Sequence, residues 1–186
     1  MRIEWIVLAI VVVAACYAVF AFNRLIRRRN MMREAWSGID VQLRRRSDLI
    51  PNLVQVVKAY AAHERGIFED IAARRASSLA IADTMQRAAA EQALQGSLGR
   101  LFAVAEGYPQ LKADQNFLAL QDQLADIEDQ LQMARRYFNG TVRDFNIGVQ
   151  SFPDVLMARV LGWRAEHFFE IDAASAAAPA VNLSGS

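Results

Sequence analysis

Residues 5–22 read WIVLAIVVVAACYAVFAF, a stretch without charge, proline or glycine. An α-helix rises ~1.5 Å per residue, so a run of this length covers ~27 Å, close to the hydrocarbon thickness of a bilayer. Trp5 at one end, and Tyr17, Phe20 and Phe22 towards the other, carry rings suited to the headgroup level. The stretch therefore predicts a transmembrane helix over residues 5–22.

Two other kinds of N-terminal segment are also apolar. A cleavable secretory signal has an apolar core of ~7–15 residues after a basic start, whereas this run is longer and Glu4 offsets Arg2. A lipoprotein processing box is the more specific alternative, because residues 13–16 read VAAC. Apolar sequence continues from Cys16 to Phe22, which favours an anchor, and lipidation of Cys16 remains an open alternative.

Arginines dominate the segment that follows the apolar run, residues 23–33. The flank consists of Arg24, Arg27, Arg28 and Arg29. By the positive-inside rule, they predict a short external N-terminus (1–4) and a body in the cytoplasm, anchored by a single span. The same side chains can contact anionic lipid headgroups.

Charge is distributed unevenly along the 186 residues, although the net charge is only +1. Residues 1–50 hold nine arginines against four acidic residues, so residues 51–186 carry a net charge of −4. A body of this charge excludes a strongly basic nucleic-acid binder. A single cysteine also excludes a disulfide framework and a cysteine-based zinc site.

Helical periodicity organises the remaining chain. Apolar residues recur every three or four positions from Trp36 to Ile71 and again from Phe117 to Phe152, close to a coiled-coil heptad. The pattern predicts an all-α protein, in which the transmembrane helix precedes a cytoplasmic antiparallel bundle with two long helices (34–171). The segment 172–186 is mostly small and polar, and we expect it to be disordered.

Three breaks in this pattern have predicted positions. Pro51 interrupts the first stripe, and either a kinked continuation or a restart capped by nearby residues fits, with the preserved phase favouring continuation. Residues 77–86 predict a loop or frayed joint. A helix of about twenty residues then ends at Gly107 and Pro109, and a short helix is expected after Pro153.

Residues able to carry catalysis are few. His63 lacks a second histidine four residues on, and neither His63 nor His167 follows a glutamate by three residues, which excludes the zinc-protease and di-iron patterns. The chain has two lysines, Lys58 and Lys112, and neither belongs to a glycine-rich phosphate-binding loop. The acidic residues 122–129 suit a solvated helix face better than a cation site. We therefore expect no enzyme activity, no cofactor and no small-molecule substrate.

Charged side chains of the body form the remaining candidate sites, either for interaction or for salt bridges. They are Arg44, Arg45, Arg46, Arg135, Arg136, Arg143 and Asp144. Because consecutive residues point to different sides of a helix, the three adjacent arginines cannot all face one ligand.

Several extended strings resemble the LemA family and together cover roughly residues 30–170. They include WSGIDVQLRRR (36–46), DLIPNLV (48–54), AEGYP (105–109), ARRYFN (134–139), VRDFN (142–146) and SFP (151–153). The resemblance implies a bacterial protein with one N-terminal membrane helix and a cytoplasmic helical bundle. It implies no known enzymatic activity and no catalytic residues.

These observations favour a membrane-anchored scaffold or adaptor that contacts a protein partner, or a second copy of itself. A regulatory or sensory module is the alternative. Such a module would bind a small ligand or metal near Tyr60, His63 and Glu64, or near the arginine strings of the second long helix.

Overall fold

The computed structural model describes residues 2–81 and 83–169. Within these residues no strand occurs, and the helices are α1 (Arg2–Tyr60), α2 (Arg65–Ala80), α3 (Thr84–Ala105), α4 (Pro109–Lys112), α5 (Gln115–Gln150) and α6 (Asp154–Val160). The all-α prediction is confirmed. The segment expected to be disordered, 172–186, lies outside the described residues.

The chain divides into two compact units. The first contains Met1–Arg46 and Gln123–Phe168, and the second contains Ser47–Asp122. The first unit therefore pairs the beginning of α1 with most of α5 and with α6, whereas the second holds α2, α3 and α4.

Antiparallel packing of α1 against α5 builds the core of the first unit. Trp36 of α1 packs on Phe138 with ring centroids 5.6 Å apart. Ten residues further along α1, Arg46 meets Glu128, ten residues earlier in α5. As the residue numbers increase along α1, those of the contacting residues on α5 decrease, so the two helices are antiparallel, as predicted. A neighbouring cluster, Leu25, Phe145, Val149 and Ala158, is buried.

Antiparallel packing of α2 against α3 builds the second unit. Ser97 Oγ of α3 donates a hydrogen bond to Asp70 of α2 at 2.6 Å. Further along α2, Ser78 donates to Glu91. An aromatic contact between Phe102 of α3 and Phe117 of α5, 6.3 Å between centroids, extends the core. Polar pairs near both ends of the contact thus fix the register of the two helices.

Pro51 lies inside α1, which continues through it as the phase of the apolar stripe predicts. Proline has no N–H, so the carbonyl of Ser47, four residues earlier, loses its usual helical donor. The Nε of Arg75 in α2 donates to this carbonyl oxygen at 2.7 Å. A side chain from the next helix thus replaces the missing amide.

Replacing Arg75 with methionine is expected to lower the free energy of unfolding by about 1.5 kcal/mol, the range for a hydrogen bond from a charged donor. In a Pro51→Ala background the backbone amide returns, so the same substitution should cost much less. Urea unfolding of the four proteins in detergent forms the double-mutant cycle. Equal costs in both backgrounds would contradict the replacement of the amide by Arg75.

Two sequence-based boundaries are wrong. The apolar stripe that starts at Trp36 predicts one helix that continues to Ile71, but α1 ends at Tyr60 and α2 begins at Arg65. The spacing of the apolar residues is almost unchanged across the turn, so the sequence pattern does not reveal the break. The joint predicted over 77–86 is shorter, because α2 continues to Ala80 and α3 begins at Thr84. Asp83 caps α3 by accepting from the Gln86 amide at 2.9 Å.

Candidate membrane-proximal interface

The apolar beginning of α1 is almost wholly exposed. Among the described residues, one helix is long and apolar enough to cross a membrane, and only 6% of its most apolar window is buried. The core helix of a water-soluble protein would be mostly buried over such a window. This helix contains the predicted transmembrane segment, residues 5–22.

Burial begins where the span ends, at a polar contact with α6. Asp154, the first residue of α6, is buried and accepts a hydrogen bond from the Tyr17 hydroxyl at 2.7 Å. Arg24 forms an ion pair with the same Asp154 oxygen, and its guanidinium donates to the Tyr17 hydroxyl at 3.2 Å. The contact fixes α6 to α1 across more than a hundred residues of sequence.

Two opposing effects act on the pKa of Asp154. Burial alone would raise it, because a carboxylate loses its hydration. Hydrogen bonds from Tyr17 and Arg24, and the charges of Arg24 and Arg28, more than offset this effect and hold the pKa below its usual value. Asp154 is therefore ionised at neutral pH, and its contact with Arg24 is charge-assisted.

Gly148 allows α5 to approach α1 closely. A Cβ atom at this position would lie 3.0 Å from Leu25 Cδ2 and would also meet the guanidinium of Arg28. A residue as large as leucine cannot fit there without displacing α5. The glycine thus brings Arg28 of the flank against the C-terminal part of the unit.

An aromatic side chain beyond α6 covers a third arginine. The guanidinium carbon of Arg29 lies 4.9 Å from the ring centroid of Trp163, a cation–π contact, and the same ring packs on Phe145. Asn146 fixes the backbone shortly after Trp163: its side-chain amide donates to the carbonyl of Glu166 at 2.9 Å, and its side-chain oxygen accepts from the Glu166 amide at 2.8 Å.

The predicted flank therefore has a second role. Arg24, Arg28 and Arg29 contact the C-terminal part of the unit, while Arg27 is exposed. Sequence reasoning missed Tyr17, Asp154 and Trp163 as their partners. A tyrosine inside an apolar span is a usable signal, because polar groups at membrane depth usually have a partner.

The other predicted positions separate into buried and exposed groups. Arg46 is buried and contacts Glu128 at 3.2 Å, and Arg135 approaches the other oxygen of that carboxylate at 3.8 Å. Arg44 pairs with Asp40 on the surface, and Arg45 bonds Gln130 at 3.2 Å. Arg136 is exposed, and so are Arg143 and Asp144, which lie 3.7 Å apart. Arg46 and Arg135 therefore share Glu128 as a partner.

The sequence profile of one family, described as the LemA family, matches residues 35–183. The chain belongs to the LemA family. The resemblance based on the strings from residue 36 onward is thereby confirmed.

The curated proteins similar to this LemA chain include magnetosome proteins. It is 28% identical to "Magnetosome protein MamQ" of Magnetospirillum gryphiswaldense over 161 residues, covering 72% of this chain and 59% of the relative. "Magnetosome protein MamQ 2" of Paramagnetospirillum magneticum is 26% identical with the same coverage. The LemA chain thus spans about three fifths of the length of the curated relatives it matches.

In the alternative site, Tyr60 has a hydrogen-bond partner from outside the predicted cluster. Tyr60 donates to Asp114 at 2.9 Å, which lowers the pKa of Asp114 and raises that of Tyr60. His63 is exposed in the turn before α2. Over residues 2–81 and 83–169, no group of three or more His, Cys, Asp or Glu side chains is placed to hold a metal ion.

Asp70 supplies a pH-dependent contribution to the second unit. The Ser97 hydroxyl, then Arg74 and Arg100, hold the pKa of Asp70 below its usual value. A depressed carboxyl pKa stabilises the fold above the unfolded value of about 3.9, and this contribution is lost as the pH falls through the folded value. Asp70→Asn should therefore lower the urea midpoint at pH 6, with a difference from the parent that narrows towards pH 3. Asp122→Asn, at an exposed position, is the control, and a pH-independent difference for Asp70→Asn would contradict the prediction.

Proposed function

We propose that this LemA protein is a membrane-anchored helical scaffold. Residues 5–22 span the bacterial cytoplasmic membrane once, the N-terminus is outside, and the body is in the cytoplasm. The exposed apolar beginning of α1 carries the proposal, since transfer of such a surface from water into hydrocarbon is strongly favourable. The arginines that follow support the orientation.

The scaffold acts through protein contacts, and no catalytic step is assigned to it. Met133 and Tyr137 lie four residues apart on α5, so they are neighbours on the helix surface, and both are more than half exposed. Methionine and tyrosine are enriched in protein interfaces, whereas charged residues are depleted at their centres. This pair supports contact with a protein partner or with a second copy of the chain.

Cysteine labelling in whole cells tests the anchor and its orientation. On a Cys16→Ala background, Ile3→Cys should react with a membrane-impermeant maleimide in spheroplasts, whereas His63→Cys should react only after lysis. Both variants should remain in the membrane pellet after alkaline carbonate extraction. Labelling of His63→Cys in intact spheroplasts would reverse the orientation, and extraction of the protein would contradict the anchor.

Photo-crosslinking tests the interaction surface. A benzophenone amino acid at Tyr137 should give a discrete adduct in living cells, and mass spectrometry then identifies a partner or a second copy. The same group at Arg143, which is also exposed on α5, is the matched control. Only monomer at Tyr137, or identical diffuse adducts at both positions, would contradict a specific contact there.

A further inference from the structure

The segment around α6 exposes an unusual amount of apolar surface. Phe152 is 81% exposed, Leu156 is 54% exposed and Val160 is 83% exposed. Leu156 and Val160 lie four residues apart in α6 and so share one side of the helix. Single exposed apolar residues are common on soluble proteins, but three large ones within nine positions form a patch that requires a partner.

The position of α6 indicates the chemistry of that partner. The Asp154 contact docks α6 against Tyr17 and Arg24, where the candidate span ends. An apolar groove of about 640 Å³ lies between α6 and the apolar run of α1. Its lining combines the span with α6: Ala9, Ile10, Val13, Ala14, Tyr17, Ala18, Ala21, Pro153, Leu156 and Met157. Leu156 therefore connects the exposed face of α6 with the apolar surface of the span.

Charge at the same level favours phospholipid over protein as the occupant. Arg27 of the flank is exposed one turn beyond the end of the span, and Arg159 of α6 is exposed beside Val160. Arginine side chains at this depth extend towards headgroups while their stems cover apolar surface. The buried carboxylate of Asp154 is paired with Arg24, so docking of α6 buries this carboxylate together with its counter-charge.

We propose that α6 is a membrane-interface helix, with Phe152, Leu156 and Val160 among phospholipid acyl chains of the cytoplasmic leaflet and Arg27 and Arg159 at anionic headgroups. The span then contacts lipid on its free sides, while acyl chains fill the groove it forms with α6. The inference rests on the proposed anchoring of residues 5–22. It adds a second lipid contact, about 130 residues later in the sequence.

Depth-dependent fluorescence quenching of the full chain tests this placement. Single cysteines replace Leu156 or Val160 on the Cys16→Ala background, are labelled with an environment-sensitive dye, and are reconstituted in vesicles of phosphatidylethanolamine and phosphatidylglycerol. Val12→Cys reports on the anchor itself. Val41→Cys, at an exposed apolar residue of the same unit that lies outside the proposed protein contact, is the matched control. Circular dichroism checks that each variant retains its helix content.

Labels at Leu156 and Val160 should be quenched several-fold more by a nitroxide lipid than by aqueous iodide, with the opposite ratio at Val41. Iodide quenching at Leu156 and Val160 with lipid quenching at Val12 would overturn the role of α6 and leave the anchor intact. Protection of the α6 labels from both quenchers would also overturn it, because a second copy or another protein would then cover the patch. Iodide quenching at Val12 would overturn the anchor and the inference together.

Discussion

Replacing Glu91 with leucine is expected to lower the free energy of unfolding by about 3–5 kcal/mol, because a buried arginine then loses its carboxylate. Glu91 and Arg87 are both buried in α3, with Nε and the carboxylate oxygen 3.4 Å apart. The Ser78 hydroxyl of α2 also donates to Glu91, so the substitution removes a link between the two helices. Urea titration of the full chain in detergent, followed by far-UV circular dichroism, measures the loss.

Two further variants separate charge from packing in this prediction. The double variant Arg87→Met with Glu91→Leu should recover much of the lost stability, since it removes both buried charges. Glu106→Leu removes an exposed carboxylate paired with Lys112 and should change stability by about 0.5 kcal/mol or less. A double variant no more stable than Glu91→Leu would show that shape, rather than the unpaired charge, determines the cost.

Replacing Phe145 with alanine is expected to cost about 3–5 kcal/mol, the range for removal of a buried ring. Phe145 is buried between Leu25 of α1 and the Trp163 ring, whose centroid is 6.2 Å away. The cavity would loosen the segment that carries α6, so trypsin should cleave after Arg159 sooner than in the parent. Urea unfolding and the rate of this cleavage are the two measurements.

Phe152→Ala provides a control of identical chemistry, because Phe152 is exposed. Its removal should change the urea midpoint in detergent only slightly and leave the cleavage rate near that of the parent. Comparable losses for the two substitutions would mean that Phe145 is not the centre of the packing between α1, α5 and α6.

Local sequence signals predicted the helices well. The apolar run of residues 5–22, the recurrence of apolar residues every three or four positions in α5 and the capping residues are short-range features. Helix formation depends largely on such features. Asp114 accepts from the amides of Asn116 and Phe117 at the beginning of α5. The long helix predicted from the apolar pattern that begins at Phe117 is confirmed, and α5 starts at Gln115.

Long-range pairs explain where sequence reasoning failed. The predicted joint at 77–86 assumed that Ser78 breaks α2, but its hydroxyl is satisfied by Glu91 on α3, a partner that no local window contains. Arg75 compensates for Pro51 in the same way, from a different helix. The contact between Arg24 and Asp154 likewise depends on the tertiary fold, so periodicity could locate α6 without showing what it packs against.

The course of α1 has a mechanical consequence. The helix continues from the apolar segment into the core of the first unit without an intervening turn. Residues 5–46 therefore move as one rigid helix, with no flexible linker between the apolar segment and the core. A transmembrane helix adjusts its tilt to the thickness of the surrounding bilayer. In a thinner or thicker membrane, the proposed anchor would rotate Arg46 and the α5 residues packed beside it by the same angle, and so couple the orientation of this unit to lipid composition.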